Sequence, residues 1–152
     1  MQLSEHFRSE EFVCPCCGAA TAAPALIGAL EDLRAIIGLP ITIASGYRCV
    51  GHNLAVGGAR DSQHVQGHAA DIVVPGVPPV VLAMAALEVP AFAHGGIGFG
   101  PTICHLDVRG FPARWGYGPR GEKVSWRMAI EAACLTTETV TATHNQEGHT
   151  EA

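Results

Sequence analysis

The sequence predicts one domain that mixes helices with short strands, and three observations carry this. The chain has 152 residues, of which 48% are hydrophobic and 15% charged. That is enough apolar material for one core and too much for a globally disordered chain. Glycine (18) and proline (10) are abundant, which disfavours a simple helical bundle and favours turns and shaped loops. The apolar spacing also changes along the chain from helical to strand-like.

Residues 1–23 read as an irregular arm with aromatic anchors, Phe7 and Phe12, ahead of a cluster of Cys14, Cys16 and Cys17. From Pro24 the pattern turns helical. Leu26, Leu30, Leu33 and Ile37 share one face, Pro24 suits a first turn, and Gly38 and Pro40 supply the stop. Residues 41–48 (ITIASGYR) read as a strand with Ile41 and Ile43 on one face. Residues 49–67 are rich in Gly, Asn, Asp and Ser and read as a long functional loop. A second strand is predicted over 70–74, a helix over 78–88, and a strand or tight glycine turn over 95–99. In ICHLDVR (103–109), alternation places Ile103, His105, Asp107 and Arg109 on one face and Cys104, Leu106 and Val108 on the other. The first of these faces is too polar, in a regular row, for a plain solvent surface. The central domain is expected over 24–121. A last helix is expected over 122–135, with Val124, Met128 and Leu135 on a stripe and Trp126 and Met128 in packing roles. A disordered tail is expected over 136–152, where six threonines replace large apolar residues. No internal repeat or linker is visible.

The net charge of −5 argues against a surface that holds nucleic acid through phosphate contacts. The longest apolar stretch, Ile72 to Leu87, is interrupted by Pro75, Gly76, Pro78 and Pro79 and falls short of the roughly 20 residues a spanning helix needs, so no membrane association is expected. The first dozen residues carry several charges and no apolar run, so the expectation is a chain made in the cytosol without a secretory signal. In that setting the six cysteines read as metal ligands or buried thiols more readily than as a disulfide framework. Cys14, Cys16 and Cys17 with Cys49 as fourth ligand would complete a structural zinc site. Reduced thiols, a local disulfide or a cross-link from the cluster to Cys49 are the other readings. Cys104 is expected to be buried. His6, His52, His94, His144 and His149 read as surface, turn or tail residues.

Residues with metal-ligating potential gather in SQHVQGHAAD, which holds His64 and Asp71, and in HLD, which holds His105 and Asp107. Two imidazoles and a carboxylate, with a fourth position left for water, describe a catalytic rather than a structural zinc site. Each residue alone has an ordinary reading. His64 could be a solvated loop residue, His105 a satisfied core histidine, and Asp71 a turn cap.

Together the residues resemble a known family. The run Ser45-Gly46-Tyr47-Arg48-Cys49, His52-Asn53, Val56-Gly57-Gly58, Ser62-Gln63-His64, Gly67, Ala69, Asp71-Ile72, Gly95-Gly96-Ile97-Gly98, His105-Leu106-Asp107-Val108-Arg109 and Arg114-Trp115 is similar to the zinc D-Ala-D-Ala carboxypeptidases. That family includes the vancomycin-resistance dipeptidases and is related to hedgehog-type domains. The likeness is strongest to small phage and bacterial murein peptidases, whose pattern S-x-H-x-x-G-x-A-x-D followed by H-x-D is matched at every fixed position. Phe7, Glu11-Phe12 and Cys14 also resemble the arm that precedes the domain in many members. The resemblance implies an α+β domain, with a small, mainly antiparallel sheet flanked by helices and a zinc site on one face. It implies zinc ligands at His64, Asp71 and His105 and a substrate-binding arginine at Arg48. The implied substrate is a peptidoglycan peptide cut next to a D-amino acid, by a carboxypeptidase or an endopeptidase. Tyr47, Ser62 and Trp115 are expected around that peptide, and the protein is expected to act as a monomer. A chain without a signal would reach the wall by lysis or in a phage particle.

One position departs from the pattern. Many relatives place a catalytic Glu three residues before the last zinc His, and here that residue is Thr102, which cannot act as a base. Asp107, two residues after His105, shares its face and is expected to serve either as the base or as the group that orients a ligand. Arg109 is expected to contribute to the site or to hold Asp107, and His68 lies near enough in sequence to contribute. The missing Glu also keeps open a reading in which the domain holds zinc yet only binds cell wall or protein, without hydrolysis.

Overall fold

The computed structural model describes residues 1–144. Its elements run in the order α1 (Pro24–Ile37), β1 (Thr42–Ser45), α2 (Val50–Ala55), β2 (Ala69–Val73), α3 (Pro79–Ala86), α4 (Pro90–Ala93), β3 (Gly96–Phe99), β4 (Cys104–Asp107), β5 (Ala113–Tyr117), β6 (Lys123–Val124) and α5 (Trp126–His144), with 3-10 turns at Ser9–Phe12 and Gln63–Gln66. The strands form one sheet in the order β1-β2-β4-β3-β5-β6. Only the β3–β5 pairing is parallel and the others are antiparallel. This is the expected α+β fold with a mainly antiparallel sheet.

One face of the sheet is the core. Ala70, Ile72, Cys104, Leu106, Ile97 and Phe99 are buried there, as strand alternation requires for β2, β4 and β3. Helix α3 packs on β3 and β4, α1 covers α3 and α4, and α5 lies on β5. Leu26, Leu30 and Leu33 bury the predicted face of α1, each contributing about 1.5–3 kcal/mol relative to exposure. Phe7 and Phe12 join the same cluster, edge to face at 6.3 Å. The arm is therefore part of the domain's core, and the expected boundary at 23/24 separates no folding unit. Glu31 of α1 holds the arm by accepting from Ser4 Oγ and from the backbone N–H of His6, and it pairs with the His6 ring.

Three expectations are corrected. The stretch 49–67 is not one long loop, because it contains α2 and the 3-10 turn. Cys49 caps α2 by accepting from His52 N, and Ser62 caps the 3-10 turn by accepting from His64 N. The last helix starts at Trp126 and continues to His144, through the first half of the segment expected to be disordered; residues 145–152, with His149, lie outside the described residues. The stripe expected on this helix is also wrong. Met128 and Leu135 are exposed, while Trp126, Ala129, Ile130 and Ala133 meet the core, and Trp126 contacts Phe99 edge to face.

The opposite face of the sheet carries aligned cross-strand rows. Ser45, Asp71, His105, Gly98 and Trp115 are successive cross-strand partners through β1, β2, β4, β3 and β5. The next row holds Ala69, Asp107, Gly96 and Ala113. Two glycines make these rows possible. A Cβ on Gly96 would sit 2.1 Å from Asp107 Oδ2, and one on Gly98 would sit 2.4 Å from the Trp115 ring. The GGIGF strand is thus glycine-rich because two larger side chains cross over it.

Candidate metal centre

Register places Asp71 of β2 directly beside His105 of β4. His64 arrives from the 3-10 turn, and the backbone N–H of Arg48 donates to its carbonyl at 3.2 Å. The three side chains are buried, and their inner atoms form a small triangle. His64 Nε2 lies 3.2 Å from His105 Nδ1 and 3.3 Å from Asp71 Oδ1, and His105 Nδ1 lies 3.0 Å from Asp71 Oδ1. Tetrahedral bonds of about 2.0–2.1 Å to zinc give ligand–ligand edges of about 3.3 Å.

The outer ring nitrogens decide what this triangle is. His64 Nδ1 lies 2.7 Å from the Gly46 carbonyl oxygen. A carbonyl only accepts, so Nδ1 carries the proton and the inner Nε2 of the neutral ring is a bare lone pair. His105 Nε2 lies 2.9 Å from Asp107 Oδ2, so Nε2 donates to that carboxylate and the inner Nδ1 is likewise bare in the neutral ring. Two lone pairs and a carboxylate oxygen therefore converge on one point. Only a cation satisfies all three, and a divalent metal fits their N, N, O character.

The electrostatics agree. Burial works to raise the pKa of Asp71, but hydrogen bonds with His105 and His64 outweigh it and hold the carboxyl well below the usual range. Burial likewise opposes the charge on His105, and its bonds to Asp107 and Asp71 raise its pKa nonetheless. Without a metal, the two carboxylates favour the protonated form of His105.

Asp107 stands behind His105. Its Oδ2 accepts from His105 Nε2 and from Arg109 Nη2 at 2.7 Å, and its Oδ1 accepts from Arg109 Nε, Arg109 N and Gly96 N. Burial raises its pKa and is overcome by His105 and Arg109, which hold it far below the usual carboxylate range. The residue is fully buried, on the far side of the ring from the triangle. Both of its oxygens are engaged by His105, Arg109 and Gly96. Arg109 is the partner that secures Asp107.

The triangle opens into a cavity of about 730 Å³. Arg48, Ser62 and Trp115 line it as expected. Arg48 Nη2 donates to Asp71 Oδ2 at 2.8 Å and its Nε to Ser45 Oγ at 3.0 Å, so the guanidinium steadies the Asp71 carboxylate while the residue faces the cavity. Trp115 leans on His105 with ring centroids 5.0 Å apart. Tyr47 and His68 do not line the cavity. The backbone N–H of Tyr47 donates to Phe12 O and the carbonyl of His68 accepts from Val108 N, so the main chain of both helps hold the frame. Arg114 is structural too, donating to the carbonyls of Gly95, Ala113 and Ala93. Sequence reading missed Asp61, Tyr117 and Lys123, which also line the cavity. Lys123 sits 5.0 Å over the Trp115 ring, and Arg109 sits 5.1 Å from the same ring. No spacing in the sequence signals these three, because they come from a loop (Asp61), β5 (Tyr117) and β6 (Lys123), which only the tertiary fold brings together.

Among the described residues, no helix is long and apolar enough to cross a membrane. A family model described as peptidase M15 matches residues 5–107, a span that takes in the arm, His64, Asp71, His105 and Asp107. No curated protein matches the chain.

Proposed function

The chain belongs to the peptidase M15 family, and from that premise we propose that it is a zinc peptidase that hydrolyses peptides of bacterial peptidoglycan next to D-amino acids. One observation carries the reading: three metal-ligating atoms, two of them lone pairs fixed by their outer hydrogen bonds, converge within 3.3 Å of one another at the floor of a cavity.

His64, Asp71 and His105 hold the ion. A bound zinc supplies Lewis acidity and makes water nucleophilic near neutral pH. Asp107 keeps His105 in the tautomer that presents Nδ1 and fixes the ring plane. Arg48 offers the cavity a planar cation suited to a peptide carboxylate, and its bond to Asp71 couples that recognition to the ligand set. Lys123 and Arg109 add positive charge beside Trp115, which favours an acidic peptide. Trp115 and Tyr117 provide an apolar wall. The acceptor for the nucleophile's proton is Asp61, the one carboxylate besides Asp71 among the described residues that line the cavity.

The test is digestion of purified murein and of peptides ending in D-Ala-D-Ala with the zinc-loaded chain, read by mass spectrometry. Release of D-alanine, or of cut cross-bridges, is expected and would separate carboxypeptidase from endopeptidase action. No cleavage of either substrate by the metal-loaded chain would overturn the reading. The second reading, a binding module, is favoured by Thr102 at the position of the relatives' Glu and by the engagement of both Asp107 oxygens away from the triangle. Retention on murein without any released peptide is its signature.

A further inference from the structure

Away from the peptidase centre, the arm builds a second cluster of metal-ligating atoms. The Sγ atoms of Cys14, Cys17 and Cys49 all lie within 4.8 Å of one another, and all six cysteines are free thiols. Cys14 and Cys17 stand in a C-x-x-C turn, Cys14-Pro15-Cys16-Cys17-Gly18. The turn is closed as a small hairpin. Gly18 N donates to Cys14 O at 2.9 Å, Cys14 N donates to Ala19 O at 2.7 Å, and Val13 pairs with Ala20. Gly18 reverses the chain with φ +74°, a conformation that few residues with a Cβ adopt.

Cys49 reaches the turn from the end of the β1 segment. Its backbone N–H donates to Cys14 Sγ at 3.4 Å, and its own sulfur accepts from His52 N at 3.4 Å. The backbone N–H of Ala19 serves Cys17, although burial and the bonds with Cys14 and Cys49 outweigh it and raise that thiol's pKa. Donors aimed at sulfur stabilise thiolate, the form that binds metal. They hold the Cys14 thiol down to about 6, with the Cys49 N–H as the main cause and those of Cys17 and Cys16 assisting. Cys16 stands outside this close group of three and is exposed; its bond with Cys49 raises its pKa, and it is the candidate for a fourth sulfur.

We propose that Cys14, Cys17, Cys49 and Cys16 bind a structural zinc ion that staples the N-terminal arm to the residue next to Arg48. Four-sulfur zinc sites use Zn–S bonds of about 2.3 Å and so sulfur–sulfur edges of about 3.8 Å, which small side-chain adjustments reach from the spacing of Cys14, Cys17 and Cys49. The ion closes a loop of 35 residues, from Cys14 to Cys49, and the closure adds to folding stability because the unfolded chain offers no preformed site. Its position also gives it a role in the peptidase centre. Cys49 follows Arg48 directly, and Arg48 holds both Asp71 and, through its backbone N–H, the His64 carbonyl.

The experiment uses the full chain, purified in reductant, loaded with zinc or cobalt and freed of excess metal. Two ions per chain are expected. His64→Ala should leave one, still showing thiolate-to-cobalt charge-transfer absorption. Cys17→Ser should leave the other, with that absorption lost. A readout that needs no variant is thiol labelling. Cys16, Cys17 and Cys134 are exposed, so all three should react in chelator, and Cys134 alone should react rapidly when metal is bound. A cobalt-loaded wild-type chain without thiolate absorption, labelling unchanged by chelator, or a cluster mass short of the reduced value by a disulfide's hydrogens would each overturn the proposal. Failure of the peptidase reading would appear separately, as a chain that keeps the thiolate band but cuts no peptide.

Discussion

His105 Nε2 and Asp107 Oδ2 are 2.9 Å apart, on the side of the imidazole that faces away from Asp71. This pair ties a strand residue two positions after a candidate ligand to the electronic state of that imidazole. Asp107→Asn keeps the shape but removes the charge that fixes the His105 tautomer and anchors Arg109. Metal affinity should fall about 10–100-fold, as loss of a hydrogen-bonded partner behind a ligand typically does. Competition with a chromophoric chelator measures it. Unchanged affinity together with abolished turnover would instead return Asp107 to the role of base.

Gly96 and Gly98 give the same argument a steric form. Gly96→Ala puts a methyl 2.1 Å from Asp107 Oδ2 in a fully buried place. The strand or the carboxylate must shift, and overpacking of this kind costs about 1–3 kcal/mol. A lower urea midpoint with an unchanged slope is the expected result, accompanied by weaker metal binding. A variant as stable as the parent would show that the row has slack.

The helix and strand periods were readable because burial enforced them. Leu26, Leu30 and Leu33 face the core, and alternation in 103–109 put His105 and Asp107 on one side. The grouping of His64, Asp71 and His105 into a candidate metal centre was readable because S-x-H-x-x-G-x-A-x-D compresses two of them into one turn and one strand. The rest was hidden for physical reasons. Strand β5 (ARWGY) mixes Arg, Trp and Gly without a period, since its side chains serve a carbonyl clamp and a ring stack rather than a plain core face. The threonine-rich end of α5 has poor intrinsic helix propensity, yet the helix that packs on β5 runs on through it to His144. Asp61 reaches the cavity from a loop and Lys123 from β6, and no local pattern encodes that meeting.

Arg48 joins ligand and cavity, so a conservative change is informative. Arg48→Lys keeps the charge but cannot reproduce the bonds from Nε to Ser45 and from Nη2 to Asp71 with one planar group. KM for a peptide with a free carboxylate should rise about tenfold, equivalent to about 1.4 kcal/mol, with kcat changed less. Equal KM values for the two proteins would mean that Arg48 acts only on Asp71.

Asp61 lines the cavity and, unlike Asp107, is exposed. Asp61→Asn should leave metal content and folding unchanged and lower kcat by about 10²–10⁴-fold, the usual contribution of a positioned base. Full activity in this variant would exclude it as the proton acceptor.

The metal-free chain carries a pH signature of its own. Asp71 and Asp107 have pKa values held below normal, because their bonds to His105, and to His64 or Arg109, outweigh burial. A carboxyl of this kind contributes stability above its unfolded value of about 3.9 and loses it as pH falls through the folded value. His105 works in the other direction. Burial lowers its pKa, the two carboxylates more than compensate, and the net shift is upward. Its contribution is complete below the unfolded value of about 6.5 and disappears as pH rises through the raised folded value. In chelator, the urea midpoint should therefore be highest between about pH 4 and 6.5 and decline on both sides. Zinc replaces the proton on His105, so the loaded chain should lose the alkaline decline, and apparent zinc affinity should increase with pH across the same range. If the chelated chain were most stable at alkaline pH, His105 could not be taking up a proton between Asp71 and Asp107, and the triangle would need another explanation for its closeness.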